Sequence, residues 1–152
     1  MKKIILTMIF ATATAQAATY PKLTSLTRGP VGPSRQVKNT TCTIESGTVE
    51  IITRRGPVKI GRSEKPVKWT DEVSNSAAVD SLLEAAGKSP IKYKGGVPTP
   101  GASMVSIEGA YKEVKNSKVK IVLLYQKNVY TNPSPEAKTL VKFLNANCAE
   151  EK

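Results

Sequence analysis

Ser134-Pro135-Glu136-Ala137-Lys138-Thr139-Leu140-Val141-Lys142-Phe143-Leu144-Asn145-Ala146-Asn147-Cys148 is the stretch whose reading decides the fold. Ser134 suits a helix N-cap, Pro135 the first helical position, and Glu136 the positive end of the helix dipole. Ala137, Leu140, Val141 and Leu144 make one apolar stripe, and Lys138 and Lys142 take the wet side. Cys148 stands eleven residues beyond Ala137. Eleven residues return a helix to nearly the same azimuth, so the cysteine faces the core. The chain has two cysteines, and the other is Cys42. A Cys42–Cys148 bridge would close a loop of about 106 residues, for which the chain-entropy account gives roughly 4–5 kcal/mol. A redox pair would need the close C-x-x-C spacing, which is absent. An intermolecular bridge is the other pairing that two cysteines allow.

Working back from this helix, Lys118 to Gln126 reads as a strand. Val119, Ile121, Leu123 and Tyr125 make one face and Val122 and Leu124 the other, the pattern of a central strand covered on both sides. Met104 to Glu108 alternates around Val105 and Ile107, and 91–94 reads as a short strand. Ala78, Val79, Leu82, Leu83 and Ala86 recur at helical spacing over about 77–86. Asn75 or Ser76 can cap that helix, and Gly87 can end it. Thr40–Ile44, Thr48–Thr53 and Val58–Gly61 read as a meander broken at Ser46-Gly47 and Arg55-Gly56-Pro57, with Val67–Trp69 after it. Strands clustered between isolated helices specify an α+β fold. The expected architecture is a small antiparallel sheet, with a middle helix and a C-terminal helix packed on it and one disulfide as a staple.

The N-terminus reads as an export signal. Lys2 and Lys3 precede an apolar run from Ile4 to Ala13, and Ala15-Gln16-Ala17 has the small-x-small form of a cleavage site. Ala13-Thr14-Ala15 is a second such site, and an uncleaved anchor or a buried strand is the alternative. The run is shorter than the roughly 20 residues that span a bilayer. Expected organisation is therefore a signal peptide at 1–17, a flexible basic Pro/Gly-rich arm at 18–38, one α+β domain at 39–148 and a tail at 149–152. Cleavage near Ala17 would leave an exported, periplasmic or secreted chain, where disulfides persist.

Composition excludes much chemistry. There is no histidine, so Ser-His-Asp and Cys-His nucleophilic sites and His-ligated metals are ruled out. Ser89-Pro90-Ile91-Lys92 and Ser117-Lys118-Val119-Lys120 match S-x-x-K, but Pro90 breaks the first and the second enters a strand. Asp71-Glu72 reads as helix-start electrostatics, and no Ca²⁺-loop pattern occurs. No catalytic residue, metal site or cofactor is expected. The 152-residue chain carries a net charge of +11. The excess lies in 18–70 and 114–152, which the bridge would bring together as one basic face. Lysine exceeds arginine and aromatics are few, which argues against nucleic acid as the partner. The phrase Thr27-Arg28-Gly29-Pro30-Val31 recurs as Thr53-Arg54-Arg55-Gly56-Pro57-Val58, a reused turn-then-strand unit.

The expected function is an exported, non-enzymatic binding module for an anionic polymer or a protein of the cell envelope, an inhibitor of a secreted hydrolase being one form of it. The alternatives are a small periplasmic enzyme acting on cell-wall material and a structural envelope protein. The candidate binding residues sit at the Arg54–Pro57 turn and the Gly95–Gly101 loop: Arg54, Arg55, Lys59, Lys92, Lys94, Val97 and Thr99. Intact mass of the exported protein should fit residues 18–152 less two hydrogens, and thiol alkylation under denaturing conditions should find nothing to modify; a reactive thiol would remove the staple.

Overall fold

A computed structural model describes residues 18–29, 37–97 and 102–149. The export signal, the 30–36 part of the arm and residues 150–152 lie outside these. Among the described residues eight strands form one antiparallel sheet. They are β1 (Lys22–Arg28), β2 (Lys38–Glu45), β3 (Thr48–Arg55), β4 (Val58–Pro66), β5 (Lys92–Tyr93), β6 (Met104–Lys112), β7 (Val119–Gln126) and β8 (Tyr130–Thr131). Two helices accompany them, α1 (Ser76–Gly87) and α2 (Pro135–Cys148). The spatial order is β4-β3-β2-β1-β6-β7-β8-β5. This is the α+β architecture that the sequence implies, with the Cys42–Cys148 disulfide in place and a Cα–Cα separation of 5.9 Å.

Both helices cover one face of the sheet. Leu23, Cys42, Ile44, Val49, Ile51, Ile107, Val122 and Leu124 point into the core from the strands. Val79, Leu83 and Ala86 of α1 and Ala137, Leu140, Phe143 and Leu144 of α2 meet them there. Each cap is as the residue types require: Asn75 Oδ1 accepts from Ala78 N at 2.9 Å, and Ser134 Oγ accepts from Ala137 N at 3.1 Å. Buried Asn132 fastens the helices to one another. Its Nδ2 donates to Ala86 O at 2.9 Å, and its Oδ1 accepts from Ser134 N. Ser46 and Gly47 both take positive φ, 50° and 77°, as a two-residue hairpin turn requires.

Four expectations are corrected. The arm expected over 18–38 contains, at Lys22–Arg28, the strand that joins the two halves of the sheet. Its core side carries Leu23, Ser25 and Thr27, so the apolar period is too faint to see beside Pro and Gly on both flanks. Val67–Trp69 is a connection and not a strand. Asn147 holds it, with Oδ1 accepting from Lys68 N at 2.8 Å and Nδ2 donating to Lys68 O at 3.2 Å. The 91–94 strand contracts to Lys92–Tyr93, which pairs with β8, a strand too short to carry a periodic signal. Finally, β7 is covered on one side only, and Ile121 is 70% exposed. Its register slips opposite Ile107/Glu108, leaving Leu124 unpaired. That bulge brings Leu124 and Tyr125 to the core side together, which breaks the simple two-face reading.

Among the described residues no helix covers the opposite face. Cross-strand partners define rows along it. One row runs from Arg62 through Ile52 and Thr41 to Leu26. It continues through Ser106 and Gln126 to Tyr130 and Tyr93. At about 4.8 Å per strand the row is about 34 Å long. The edge strand β4 carries its own protection against strand addition: an unpaired Ile60 at a register shift, together with Lys59, Arg62 and Lys65.

Gly109 in β6 lies under α1, where an added Cβ would run into the buried side chain of Leu83 and press on Leu23. Gly109→Ala should therefore destabilise the fold by about 1–3 kcal/mol, measured by chemical denaturation. An unchanged midpoint would mean that α1 does not seat at this position.

Candidate functional site

The topology brings the two nominated connections to the same end of the sheet. The β3–β4 turn leaves from Arg55, and the chain after β5 passes Lys94 and Gly95 toward the start of β6 at Met104. Met104 is the partner of Arg28, at the end of β1. Lys94 N donates to Val129 O at 2.8 Å, and Gly96 packs directly on Asn128, where any Cβ would collide with backbone. Val97 is 77% exposed. Thr99, with the 98–101 part of the loop, lies outside the described residues.

At this end the register sets cation against cation. Arg54 is the cross-strand partner of Lys59 on one side and of Asn39 on the other, and Asn39 is in turn the partner of Arg28. Arg55 is the partner of Lys38. Arg28, Lys38, Arg54, Arg55 and Lys59 are all exposed. Among the described residues no carboxylate forms an ion pair with any of them. Asn39 Oδ1, in the middle of this row, is a buried acceptor without a hydrogen-bond partner among the described residues. Lys94 joins the same end, its Nζ 5.8 Å from the centroid of Tyr125. Lys92 lies beside it on β5, exposed. The expectation of a single basic face is corrected: Lys115, Lys118 and Lys120 belong to the β6–β7 connection and its flank, at the opposite end of the sheet. Antiparallel register, which sequence charge counts ignore, separates them.

The uncovered face is acidic further from this end. Glu50 and Glu64 are cross-strand partners bridged by Arg62, whose Nε and Nη2 donate to them at 2.7 and 2.6 Å. Glu45 accepts from Thr19 N and Oγ1, both at 2.7 Å, and pairs with Lys22 Nζ at 3.4 Å. These three glutamates line an open cavity of about 620 Å³ that also takes in Ala18, Thr43 and Thr48. A second cavity of about 320 Å³ places Ser89 with Lys88 and Lys120. Lys88 is paired with Glu84 at 3.2 Å and Lys120 with Glu113 at 3.6 Å. A Ser–Lys nucleophile needs a lysine facing the hydroxyl without such a partner. Neither Lys92, of the first S-x-x-K match, nor Ser117, which takes a positive φ of 56° in the β6–β7 turn, lines it.

Sequence reasoning passed over Tyr93 and Tyr130. They are cross-strand partners with ring centroids 5.5 Å apart, and they are 60% and 37% exposed. No sequence signal pairs them, because β8 has only two residues. Among the described residues no group of three or more His, Cys, Asp or Glu side chains is placed to hold a metal, and no helix is long and apolar enough to cross a membrane. No family model, curated protein or solved structure matches the chain.

Burial pushes the Glu45 carboxyl up, but the Thr19 hydrogen bonds and the Lys22 ammonium outweigh it and hold the group below its ordinary value of 4.5. A carboxyl with a lowered folded-state value stabilises the fold above the unfolded value, and that contribution disappears as pH falls through the folded value. Glu45→Gln should therefore lower the denaturation midpoint at about pH 7 and leave it unchanged at about pH 2. An equal loss at both would place the effect in packing and not in charge.

Proposed function

We propose that this chain is an exported, non-enzymatic binding module that recognises an anionic partner in the cell envelope through the basic end of its sheet. One observation carries the reading. The strands set Arg54 opposite Lys59, with Arg28 in the same row, and set Arg55 opposite Lys38 on the other face of the same sheet end, and among the described residues no carboxylate pairs with any of them. Like charges directly opposite one another destabilise a sheet. A cost of that kind is offset when a polyanion fills the gap between them. Export agrees with the disulfide, which needs an oxidising compartment to persist.

The inhibitor form of the expectation places the β3–β4 turn, held by a stapled domain, against a hydrolase; the acid-free cation cluster favours a polyanion over a cleft. The enzymatic rival would draw on the three-glutamate cavity. There Arg62 engages Glu50 and Glu64, and Thr19 and Lys22 engage Glu45, so each carboxylate already has its partner within the protein.

Binding of the full exported chain to polyglutamate should weaken as salt rises, since exposed charges are screened. Arg54→Ala with Arg55→Ala should weaken it about tenfold at low salt, while Lys115→Ala with Lys118→Ala, at the other end of the sheet, should not. Equal losses from both pairs would reduce the effect to net charge and remove the site.

A further inference from the structure

We infer that the anionic partner is an acidic polysaccharide, lying across the uncovered face of the sheet from the arginine row to the Tyr130–Tyr93 pair. This rests on the basic-end reading and adds the chemistry of the ligand.

Three features of that face point the same way. First, its upper boundary is cationic and its lower boundary acidic. Arg28, Arg54 and Lys59 occupy the row nearest the sheet end, and Glu50, Glu64 and Glu108 lie in the row beyond the central one. An anionic chain is drawn to the first row and repelled by the last, which confines it to the row between. Second, the floor of that row is made of short polar and aliphatic side chains. Thr41, Ser106 and Gln126 offer hydroxyl and amide groups, half-buried and level with the sheet. Third, the row ends on two exposed tyrosines inclined at 51° to one another. Tyrosine presents a flat apolar surface with a polar tip, suited to the C–H face of a sugar ring, whose hydroxyls lie at its edge.

The same features disfavour a nucleic acid. Single strands are held by aromatic platforms repeated along the path of the bases. Here both aromatics of the row stand at one end, and the positions between them and Arg62 carry none. The row spans about 34 Å, the form of a surface for an extended chain and not for a small molecule.

The test uses the full exported chain and four soluble probes: polygalacturonate, polyglutamate, neutral dextran and oligothymidylate. Polygalacturonate and polyglutamate both carry carboxylates, but only the first has sugar rings. The wild-type chain should bind polygalacturonate more tightly than polyglutamate and should not bind dextran. Tyr93→Ala and Tyr130→Ala, both at exposed positions, should each weaken polygalacturonate binding about tenfold and leave polyglutamate binding unchanged. Circular dichroism and a thermal melt show that the variants fold. Equal affinity for the two polycarboxylates with no effect of either tyrosine overturns the polysaccharide and leaves the basic-end reading standing. Tightest binding to oligothymidylate, dependent on the tyrosines, overturns it in favour of a nucleic acid. Binding to no polyanion overturns both readings together.

Discussion

The backbone ladder of Lys22–Arg28 is the constraint on which the rest of the molecule depends. All seven residues pair with β2 on one side and with β6 on the other. The wing β4-β3-β2 and the wing β6-β7-β8-β5 are joined in the sheet through this strand alone. Its partners on β6 are some 80 residues away in sequence, so the seam is a non-local closure with a corresponding entropic cost. The chain closes the seam a second time from the core side. Helix α2 packs on β7 and also on β1, β2 and β3, and its last residue is bonded covalently to Cys42 of β2. A slip of β1 by one residue would turn Leu23 out of the core and Lys22 into it, which the packed helix opposes.

That arrangement fixes which face of the sheet is free. Both helices and the disulfide lie on the side of Leu23, Cys42 and Ile107, so among the described residues the opposite side is made of strands. The two irregularities of the sheet serve the division. The bulge at Leu124 moves Tyr125 to the covered side, and the one at Ile60 interrupts the edge strand against the addition of another chain. What remains is a broad open surface whose charges are sorted. Glu45, Glu50 and Glu64 are tied to Lys22, Thr19 and Arg62, and among the described residues the cations at its end are tied to nothing acidic.

The elements with strong local chemistry were legible in the sequence. Ser134-Pro135-Glu136 announces α2, the apolar spacing through Leu83 announces α1, and the azimuth of Cys148 turns it to the core, where Cys42 is the other cysteine of the chain. The Ser46-Gly47 turn and the meander after it follow from β-branched residues and turn signals. The strand β1 was not legible, because its core side is Leu, Ser, Thr and its partners lie far along the chain. Nor was β8, whose two residues are a strand only because β7 and β5 flank them. The candidate site divides in the same way. Arg54, Arg55 and Lys59 stand out as a charged turn, but their opposition to Lys38 and Arg28 is a property of register. The tyrosine pair depends on β8 and was invisible for that reason.

The placement of the cations also explains how the fold tolerates them. Arg54 and Arg55 are the last residues but one and the last of β3, Lys59 is the second of β4, and Lys38 is the first of β2. Strand ends fray at little cost, so repulsion there is relieved by small local movements before it reaches the core. Cys42 of the covalent staple and the fully buried Leu23 lie further along the strands, away from this end, with Leu140 and Leu144 of α2 in the core. Repulsion and cohesion are thus held at different places along the same strands. A surface that holds unneutralised charge outward needs a scaffold whose stability does not depend on that surface, and the two-fold closure of the β1 seam supplies one.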